Sequence, residues 1–276
     1  MKIGHFKKVF EGKKANQGSE ASVQDHIVVE EALQINLNGK PFTVTMRTPG
    51  SDRHLIQGLL FTEGVYTEVN ELEMKAIDFT KEGYPAVVNV LIPPAKIGGS
   101  YYQSRSMLSV SSCGICGKRE LSDILNGGSP LTTDLTIDTT SVKKMFKTMG
   151  TKQVAFQCTG GSHAAAVFSE MGNLLTTEED IGRHNAVDKA IGHLINEGKL
   201  EIASFMLVSG RVSYEIVSKT YKAGIPFLAA VSSPSSLSIE SADAMGMTLM
   251  AFCRGEAITC YTHPERMKII HIHPNQ

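Results

Sequence analysis

The sequence contains no tryptophan, few aromatic residues and no long apolar run. Aromatic residues make up 7% of its 276 residues, and no apolar segment approaches the roughly 20 residues that a helix needs to cross a bilayer. The basic residues near the N-terminus are not followed by an apolar stretch, so we expect no secretory signal. These absences predict a protein without membrane contact and with a cytoplasmic location.

A strong net charge and an even set of cysteines are also missing. The 27 basic and 28 acidic residues nearly cancel, so no broad basic field invites nucleic acid. Five cysteines are an odd number for a disulfide framework, which favours reduced thiols. A hydrophobic content of 42% with 20% charged residues is typical of a soluble globular protein with a core.

The pattern of residue types divides the chain into three parts. Residues 1–26 are predicted to be a polar tail. Residues 27–130 predict a β-rich part that ends in a cysteine loop, and the run NGGSP at 126–130 marks the boundary. Residues 131–276 alternate strands with helices. The predicted fold class is therefore α/β, a larger layered C-terminal domain with a smaller β-rich N-terminal part.

Several elements are predicted with definite bounds. Asn38-Gly39 predicts a hairpin turn, and Gly150 is expected to end a helix. Cys158 is interpreted as the buried end of a strand. Predicted helices cover residues 51–62, 139–149, 185–196, 213–222 and 233–245; predicted strands cover 27–37, 42–46, 86–92, 107–110, 153–157, 165–168, 174–177, 205–208, 227–231, 248–253 and 257–261.

The strongest local feature is the cysteine pair in the run SSCGICGKR. Cys113 and Cys116 are close enough in sequence for both thiols to act on one sulfur atom, and the glycines beside them permit unusual backbone angles. Lys118 and Arg119 favour the thiolate, which is the reactive form. By itself the pattern fits half of a metal site, a redox pair or a sulfur-transfer site.

The metal alternative lacks further ligands in the sequence. The other three cysteines are isolated, and the one His-x-Glu pattern, at residues 263–265, follows the cysteine pair instead of preceding it as in a zinc deaminase. Lone histidines such as His54 and His193 are interpreted as ordinary surface or core residues, so no metal ligand is predicted. A thioredoxin-like dithiol opens a helix after a core strand, whereas Gly117 favours a loop.

A second cluster, the polar run EEDIGRHN, opens a predicted helix. Free backbone N–H groups at this position, with Arg183 and His184 beside them, suit a phosphate. Glu179 and Asp180 suit a nucleobase or a sugar. Ordinary helix capping by Asp180 or Asn185 also accounts for the segment taken alone.

Two glycine-containing turns favour a ligand site. Residues 159–163 (TGGSH) follow a predicted strand, and residues 209–213 (SGRVS) join a strand to a helix. In an open α/β sheet such turns meet at the carboxyl ends of the strands, where ligands bind. Arg183 and Arg211 offer forked donors to phosphate oxygens. The sequence has neither a P-loop nor a G-x-G-x-x-G fingerprint, so a standard NTPase or Rossmann site is not predicted.

Together these segments resemble the formate dehydrogenase accessory sulfurtransferase family, FdhD. The matching segments span residues 27–265, and the block 179–189 with the cysteine loop is the most specific part. One departure is Ala32, where the family usually has proline at a strand entry. The matches are residues 47–49 (RTP), 58–60 (GLL), 63–64 (EG), 112–117 (SCGICG), 159–164 (TGGSHA), 179–189 (EDIGRHNAVDK), 209–211 (SGR) and 252–254 (FCR), before Tyr261.

The resemblance implies a sulfurtransferase. Such a protein accepts a persulfide from a cysteine desulfurase and passes the sulfur to the molybdenum (or tungsten) bis-pterin guanine dinucleotide cofactor that the formate dehydrogenase catalytic subunit needs. The persulfide cysteine maps onto Cys113, with Cys116 as its partner. The resemblance also implies a cytidine deaminase-like larger domain without the zinc site, and a homodimer. The residues alone leave two alternatives, a nucleotide-binding dithiol oxidoreductase and a zinc-stabilised binding module.

The predicted cofactor site combines the polar turns with a C-terminal segment that the resemblance implies. The turns contribute Thr159, Gly160, Gly161, His163, Glu179, Asp180, Gly182, Arg183, His184, Asn185, Ser209, Gly210 and Arg211. The resemblance adds Phe252, Cys253, Arg254, Gly255, Glu256 and Ala257. A guanine dinucleotide brings a pyrophosphate and a base, which suit the arginines and the glycine turns, and GDP is expected to act as its mimic.

Overall fold

The computed structural model of the protein describes residues 6–99, 129–255 and 257–268. Cys113 and Cys116, together with the strand predicted just before them, lie outside the described residues, as does Glu256. The described part contains six α-helices and four β-sheets, which confirms a mixed α/β fold.

The described part of the predicted polar tail forms a β-hairpin. Strand β1 (Lys7–Asn16) pairs antiparallel with β2 (Ser19–Val28), and Gly18 takes a φ of 81° in the turn between them. Nearly all side chains of both strands are exposed or half-buried. The usual signal of a strand, apolar residues alternating onto a buried face, is therefore missing, and residues 7–26, predicted only as a polar tail, belong to an exposed hairpin.

A four-stranded sheet packs against the first helix. It is built from β3 (Glu31–Leu37), β4 (Lys40–Arg47), β5 (Glu73–Phe79) and β6 (Pro85–Leu91) in the order β4-β3-β6-β5. The predicted turn at Asn38-Gly39 is confirmed, and its φ values of 50° and 79° are those that a tight hairpin requires. Helix α1 (Asp52–Thr62) buries Leu55, Ile56 and Leu60 against this sheet.

The rest of the described chain alternates helices and strands. In chain order it comprises β7 (Ile137–Asp138), α2 (Thr139–Lys152), α3 (Val154–Thr159), β8 (His163–Ser169), β9 (Leu174–Asp180), α4 (Arg183–Asn196), β10 (Ala203–Val208), α5 (Tyr214–Lys222), β11 (Phe227–Ala230), α6 (Ser236–Ala244), β12 (Thr248–Arg254), β13 (Ala257–Cys260) and β14 (Met267–Lys268). The short strands β7 and β14 pair with each other. The remaining six strands form one sheet in the order β13-β12-β11-β10-β8-β9.

Helices cover both faces of the six-stranded sheet. In β10, Phe205 and Leu207 share a buried cluster with Met145 of α2, whereas Met206 and Val208 share another with residues of α4 and α5. A strand buried on both faces has a continuous apolar sequence, which explains the run FMLV at residues 205–208.

The segment predicted as a strand at residues 153–157 instead forms the N-cap and the first four residues of helix α3. The carboxylate of Glu179 accepts hydrogen bonds from the backbone N–H groups of Ala155 and Phe156, both at 2.8 Å. This cap comes from a distant strand, so the local sequence carries no sign of it. Cys158 lies in the same helix and is exposed, so its assignment as a buried strand end is wrong.

The ends of the other helices lie near their predicted positions. The side chain of Asp138 caps α2 by accepting from the N–H of Ser141 at 2.8 Å. The helix then continues through Gly150 to Lys152, because one glycine weakens a helix by about 1 kcal/mol without ending it. The prediction that Gly150 ends this helix is therefore wrong.

Candidate functional site

The predicted turns lie side by side at the end of the six-stranded sheet where most of its strands have their carboxyl ends, which we call the carboxyl edge. Strands β10, β11 and β12 are parallel, and β8 runs antiparallel to both β9 and β10. Strands β9, β10, β11 and β12 therefore end at this edge, whereas β8 and β13 begin there, since β13 runs antiparallel to β12. His163 is paired with Asp180 across β8 and β9, and the N–H of Ser209 donates to the carbonyl of Ala164 at 3.0 Å. Residues 159–163 reach the edge from helix α3, not from a strand as predicted.

Gly210 allows the turn after β10 to approach the start of α4. A Cβ at this position would lie 3.3 Å from Nδ1 of His163 and 3.4 Å from Cβ of Arg183, so even a methyl group would be tight. The Nε of Arg183 is buried, and none of the described residues accepts its hydrogen. A buried donor without an acceptor is costly, which makes this nitrogen a candidate donor to a ligand.

The two histidines at this edge are neutral at pH 7. Burial, and then the positive charge of Arg183, lower the pKa of His163. The same two causes lower the pKa of His184 to about 4. The Nε2 of His184 lies 3.3 Å from the hydroxyl oxygen of Ser213. A neutral imidazole adds no charge but has one donor and one acceptor for a base or a sugar hydroxyl.

The carboxylates of Glu179 and Asp180 are already engaged within the chain. Glu179 caps α3 and also accepts from the hydroxyl of Ser162 at 2.8 Å. Asp180 is fully buried, forms an ion pair with Nζ of Lys189 at 2.7 Å and accepts from the N–H of Gly182 at 2.8 Å. A ligand would have to displace these bonds. The structure thus supports a structural role for both side chains, and their contact with a nucleobase stays a prediction.

Polar residues of the same block join the larger part of the chain to the four-stranded sheet. The side-chain amide of Asn185 donates to the carbonyl of Met46 at 2.7 Å. Nζ of Lys189 donates to the carbonyl of Thr48 at 2.8 Å, and the N–H of Thr48 donates to Asp180 at 3.1 Å. The polar character of residues 179–189 therefore serves this joint as well as the candidate site.

The C-terminal segment of the predicted site is the hairpin between β12 and β13. Phe252 is exposed and has a φ of 52°, and Gly255 has a φ of 55° at the turn. The Nε of Arg254 donates to the carbonyl of Val231 at 2.9 Å, which holds this arginine along the sheet edge. Burial raises the pKa of Cys253 to about 12, so its thiol stays protonated and unreactive at neutral pH.

The turn that follows β11 was not among the predicted site segments. The N–H of Val212 donates to the carbonyl of Ser233 at 3.1 Å, and the N–H of Phe252 donates to the carbonyl of Ser232 at 3.2 Å. These bonds place residues 231–235 between the turn after β10 and the hairpin after β12. The signal for this turn is Ser232 and Ser233, which come directly after a buried strand. The prediction of a helix from residue 233 assigned the second serine to the helix and so left the turn out.

A separate group consists of His54, Glu178 and His193. Both imidazoles approach the carboxylate of Glu178, so these histidines are not the isolated residues that the sequence suggests. His54 and Glu178 are 124 positions apart in the chain. The sequence could not bring them together, because the contact depends on how α1 packs against β9 and α4.

Comparisons with known proteins point to one family. Residues 28–268 match the model of the FdhD/NarQ family. The chain is 42% identical over 255 residues to the sulfur carrier protein FdhD of Mycobacterium tuberculosis, covering 87% of this chain and 91% of that protein. It is 39% identical over 257 residues to the protein of the same name from Sulfolobus acidocaldarius, covering 93% and 96%.

A solved structure has the same fold. It is a crystal structure described as that of a formate dehydrogenase accessory protein from Desulfotalea psychrophila, with a TM-score of 0.75 and 22% identity. The match covers 95% of this chain and 100% of that one. Among the described residues, no helix is long and apolar enough to cross a membrane.

Proposed function

The chain belongs to the FdhD/NarQ family, and from this premise we propose that it is a sulfur carrier that serves formate dehydrogenase. The observation that carries the proposal is the match of residues 28–268 to the family, with the Cys113 and Cys116 pair inside the matched range. Relatives that are 42% and 39% identical along most of their length are sulfur carrier proteins.

Cys113 is the proposed acceptor of sulfur. Its thiolate attacks the outer sulfur of a persulfide on a cysteine desulfurase. The S–S bond of the donor breaks, the donor's cysteine leaves as a thiolate, and Cys113 keeps the outer sulfur as a persulfide. The exchange needs no external oxidant. Lys118 and Arg119 favour the thiolate that begins it.

Cys116 is the proposed partner in release. Its thiolate attacks the inner sulfur of the Cys113 persulfide, the outer sulfur leaves as hydrosulfide, and a disulfide forms between the two cysteines. A thiol reductant then restores both thiols. Hydrosulfide already has the oxidation state of a sulfido ligand, so delivery in this form suits a molybdenum or tungsten centre.

The proposed site for the nucleotide end of the client cofactor is the sheet edge at the start of α4. The first N–H groups of an α-helix have no partner inside it, and Gly182 at the N-cap brings no capping side chain. The buried Nε of Arg183 and the exposed Arg211 add donors that suit phosphate oxygens. Gly210 lets the turn after β10 approach Arg183 closely, which brings Arg211 near the same helix start. This donor set fits a pyrophosphate.

The base and the sugar are assigned to the neutral groups of the same edge. His163 offers one donor and one acceptor there, and His184, whose Nε2 meets the hydroxyl of Ser213, offers its Nδ1. Residues 159–161 and Ser209 lie beside these histidines and complete the predicted nucleotide site. The hairpin at residues 252–257 is proposed to cover the bound nucleotide. The carboxylates of Glu179 and Asp180 hold the edge in shape.

The client cofactor proposed here is the molybdenum or tungsten bis-pterin guanine dinucleotide. It is cargo and not a resident group, so GDP serves as a mimic of its nucleotide end. The proposed partners are a cysteine desulfurase and the catalytic subunit of formate dehydrogenase. A cytoplasmic homodimer is proposed on the strength of the family resemblance.

Two measurements test the proposal together. Cyanolysis measures sulfane sulfur on the chain after incubation with a cysteine desulfurase and cysteine, and calorimetry measures the binding of GDP. Sulfur loading without GDP binding would keep the carrier role and remove the nucleotide pocket. GDP binding without sulfur loading would favour a nucleotide-binding dithiol oxidoreductase.

A further inference from the structure

His54, Glu178 and His193 meet where α1 packs against β9 and α4. The Nδ1 of His54 lies 3.1 Å from Oε1 of Glu178, and the Nδ1 of His193 lies 2.9 Å from the same oxygen. The centroids of the two imidazoles are 4.6 Å apart. Each residue offers one ligand atom, and these atoms lie within 4.8 Å of one another. Three metal-ligating side chains thus share one small volume.

Two glycines fix the separation of the helices that carry the histidines. A Cβ on Gly58 of α1 would lie 1.8 Å from the carbonyl oxygen of Asp188, and a Cβ on Gly192 of α4 would lie 1.9 Å from the carbonyl oxygen of His54. The helices therefore touch backbone to backbone at the level of the imidazoles, because His193 directly follows Gly192. Such a contact presets the ligand spacing, and metal–ligand distances tolerate deviations of only about 0.2 Å.

Ser51 orients the carboxylate. Its hydroxyl donates to Oε2 of Glu178 at 2.8 Å, which leaves Oε1 turned toward the imidazoles. Ser51 itself has a φ of 41°, a backbone conformation that is uncommon outside glycine. In metal sites, hydrogen bonds from residues that do not themselves bind the metal hold the ligating carboxylates in place.

We propose that His54, Glu178 and His193 bind a divalent transition-metal ion through two imidazole nitrogens and one carboxylate oxygen. Tetrahedral ligands at about 2.0–2.2 Å from zinc are separated by roughly 3.3 Å, close to the two nitrogen–oxygen distances in this group. Nitrogen ligands favour zinc and its neighbours over magnesium and calcium, which prefer oxygen. The side chains of His54 and His193 are 26% and 28% exposed, so an ion and a solvent ligand have access.

The ion clamps the helix of the smaller sheet to the larger part of the chain. His54 belongs to α1, whereas Glu178 and His193 belong to β9 and α4. None of the three takes part in the proposed sulfur chemistry or nucleotide pocket. The joint also has other bonds, such as that from Lys189 to Thr48, so the chain is expected to stay folded without the ion and to melt at a lower temperature.

Zinc binding to the full chain carrying Cys113→Ser and Cys116→Ser tests the proposal. These substitutions remove thiolates that also bind zinc. After chelation and removal of the chelator, calorimetry with Zn²⁺ should show a single bound equivalent, and the melting temperature should rise, since an ion that binds only the folded chain stabilises it. Mg²⁺ should do neither. X-ray absorption at the zinc edge should show imidazole and oxygen ligands without sulfur.

Matched histidine variants in the same background locate the ion. His54→Ala and His193→Ala should weaken zinc binding by more than about a hundredfold, since loss of an outer partner alone costs 10- to 100-fold. His26→Ala removes an exposed histidine of β2 and should leave the affinity unchanged. Circular dichroism in chelator checks that each variant folds. The proposal would be overturned if the parent bound no zinc, or if the His54→Ala and His26→Ala variants bound zinc equally well. Sulfur ligands in the absorption spectrum would also overturn it.

Discussion

The ammonium of Lys189 and the carboxylate of Asp180 lie 2.7 Å apart, and both side chains are fully buried. Lys189 also donates to the carbonyls of Thr48 and Glu179. Asp180 accepts in addition from the N–H of Gly182. A buried charge persists only with such partners. The pair fixes the end of β9 against the smaller sheet, and thereby shapes the edge at which the ligand is proposed to bind.

Lys189→Met is expected to lower the free energy of unfolding by about 3–5 kcal/mol, because it leaves the charge of Asp180 buried without its partner. Urea denaturation measures the change. Lys199→Met is the matched control, since its ion pair with Glu197 is exposed and exposed pairs contribute about 0–1 kcal/mol. Equal losses in the two variants would contradict the role assigned to Lys189.

Alanine at two helical glycines should have opposite effects. Gly58→Ala places a Cβ 1.8 Å from the carbonyl oxygen of Asp188, and we expect it to destabilise the fold by about 1–3 kcal/mol. Gly150 lies inside α2 with nothing within 4 Å of an added Cβ. Gly150→Ala should therefore stabilise the fold by about 0.5–1 kcal/mol. Thermal melts of both variants measure this, and a Gly58→Ala variant as stable as the wild type would contradict the packing of α1 on α4.

The stability of the protein should fall as the pH drops from 6.5 to about 4. Burial and Arg183 lower the pKa of His184 to about 4 in the folded chain, whereas the unfolded chain takes up the proton near pH 6.5. The contribution of His184 is therefore fully present above pH 6.5 and is lost as the pH falls through this window. It amounts to about 3 kcal/mol.

His184→Gln tests this pH dependence. Urea denaturation at pH 7 and at pH 4.5 should show a smaller loss of stability in the variant than in the wild type. His26→Gln removes an exposed histidine and should keep the loss of the wild type. The same loss in all three proteins would mean that His184 titrates normally.

The sequence predicts an element well where its buried face produces a regular pattern of apolar residues. The run at residues 205–208 follows from a strand buried on both faces, and α4 from the apolar residues of its buried face. The hairpin at Asn38-Gly39 follows from its turn residues. The exposed hairpin at residues 7–28 has no such face. Helix α3 depends on a cap from Glu179, which is distant in sequence. Both were missed for these reasons.

Some features of the candidate site can likewise be predicted from the sequence, and others cannot. Glycine turns after strands are visible in the sequence, and the carboxyl edge that joins them follows from strand direction. Which side chains are free depends on packing, however. The run at residues 178–180 presents three carboxylates, yet Glu179 caps a helix, Asp180 pairs with Lys189 and Glu178 meets two histidines. No local pattern distinguishes these roles.

Arg183→Ala or Arg211→Ala should weaken the binding of GDP by about ten- to a hundredfold. A charge-assisted hydrogen bond contributes roughly 1.5–3 kcal/mol, and 1.4 kcal/mol is about a factor of ten. Calorimetry measures the affinity. Arg53→Ala removes an arginine of α1 that pairs with exposed Glu71 and serves as the control. Sulfur loading of Cys113 should survive in all three variants. Unchanged GDP affinity in the first two would place the nucleotide elsewhere.

Cys116→Ser separates the acceptance of sulfur from its release. If Cys116 attacks the Cys113 persulfide, the serine variant should load sulfane sulfur as the wild type does. It should then keep this sulfur in buffer that contains no other thiol. Release followed over time by cyanolysis measures the difference. Equal release from both proteins would show that the second cysteine has no part in that step.

The central claim, that Cys113 carries sulfur, is tested most directly by cyanolysis of the chain after incubation with a cysteine desulfurase and cysteine. Wild-type protein should carry sulfane sulfur, and Cys113→Ala should carry none. Cys158→Ala, which removes an exposed thiol of α3, should load like the wild type and so excludes nonspecific labelling. Full sulfur loading of the Cys113→Ala variant would contradict the claim.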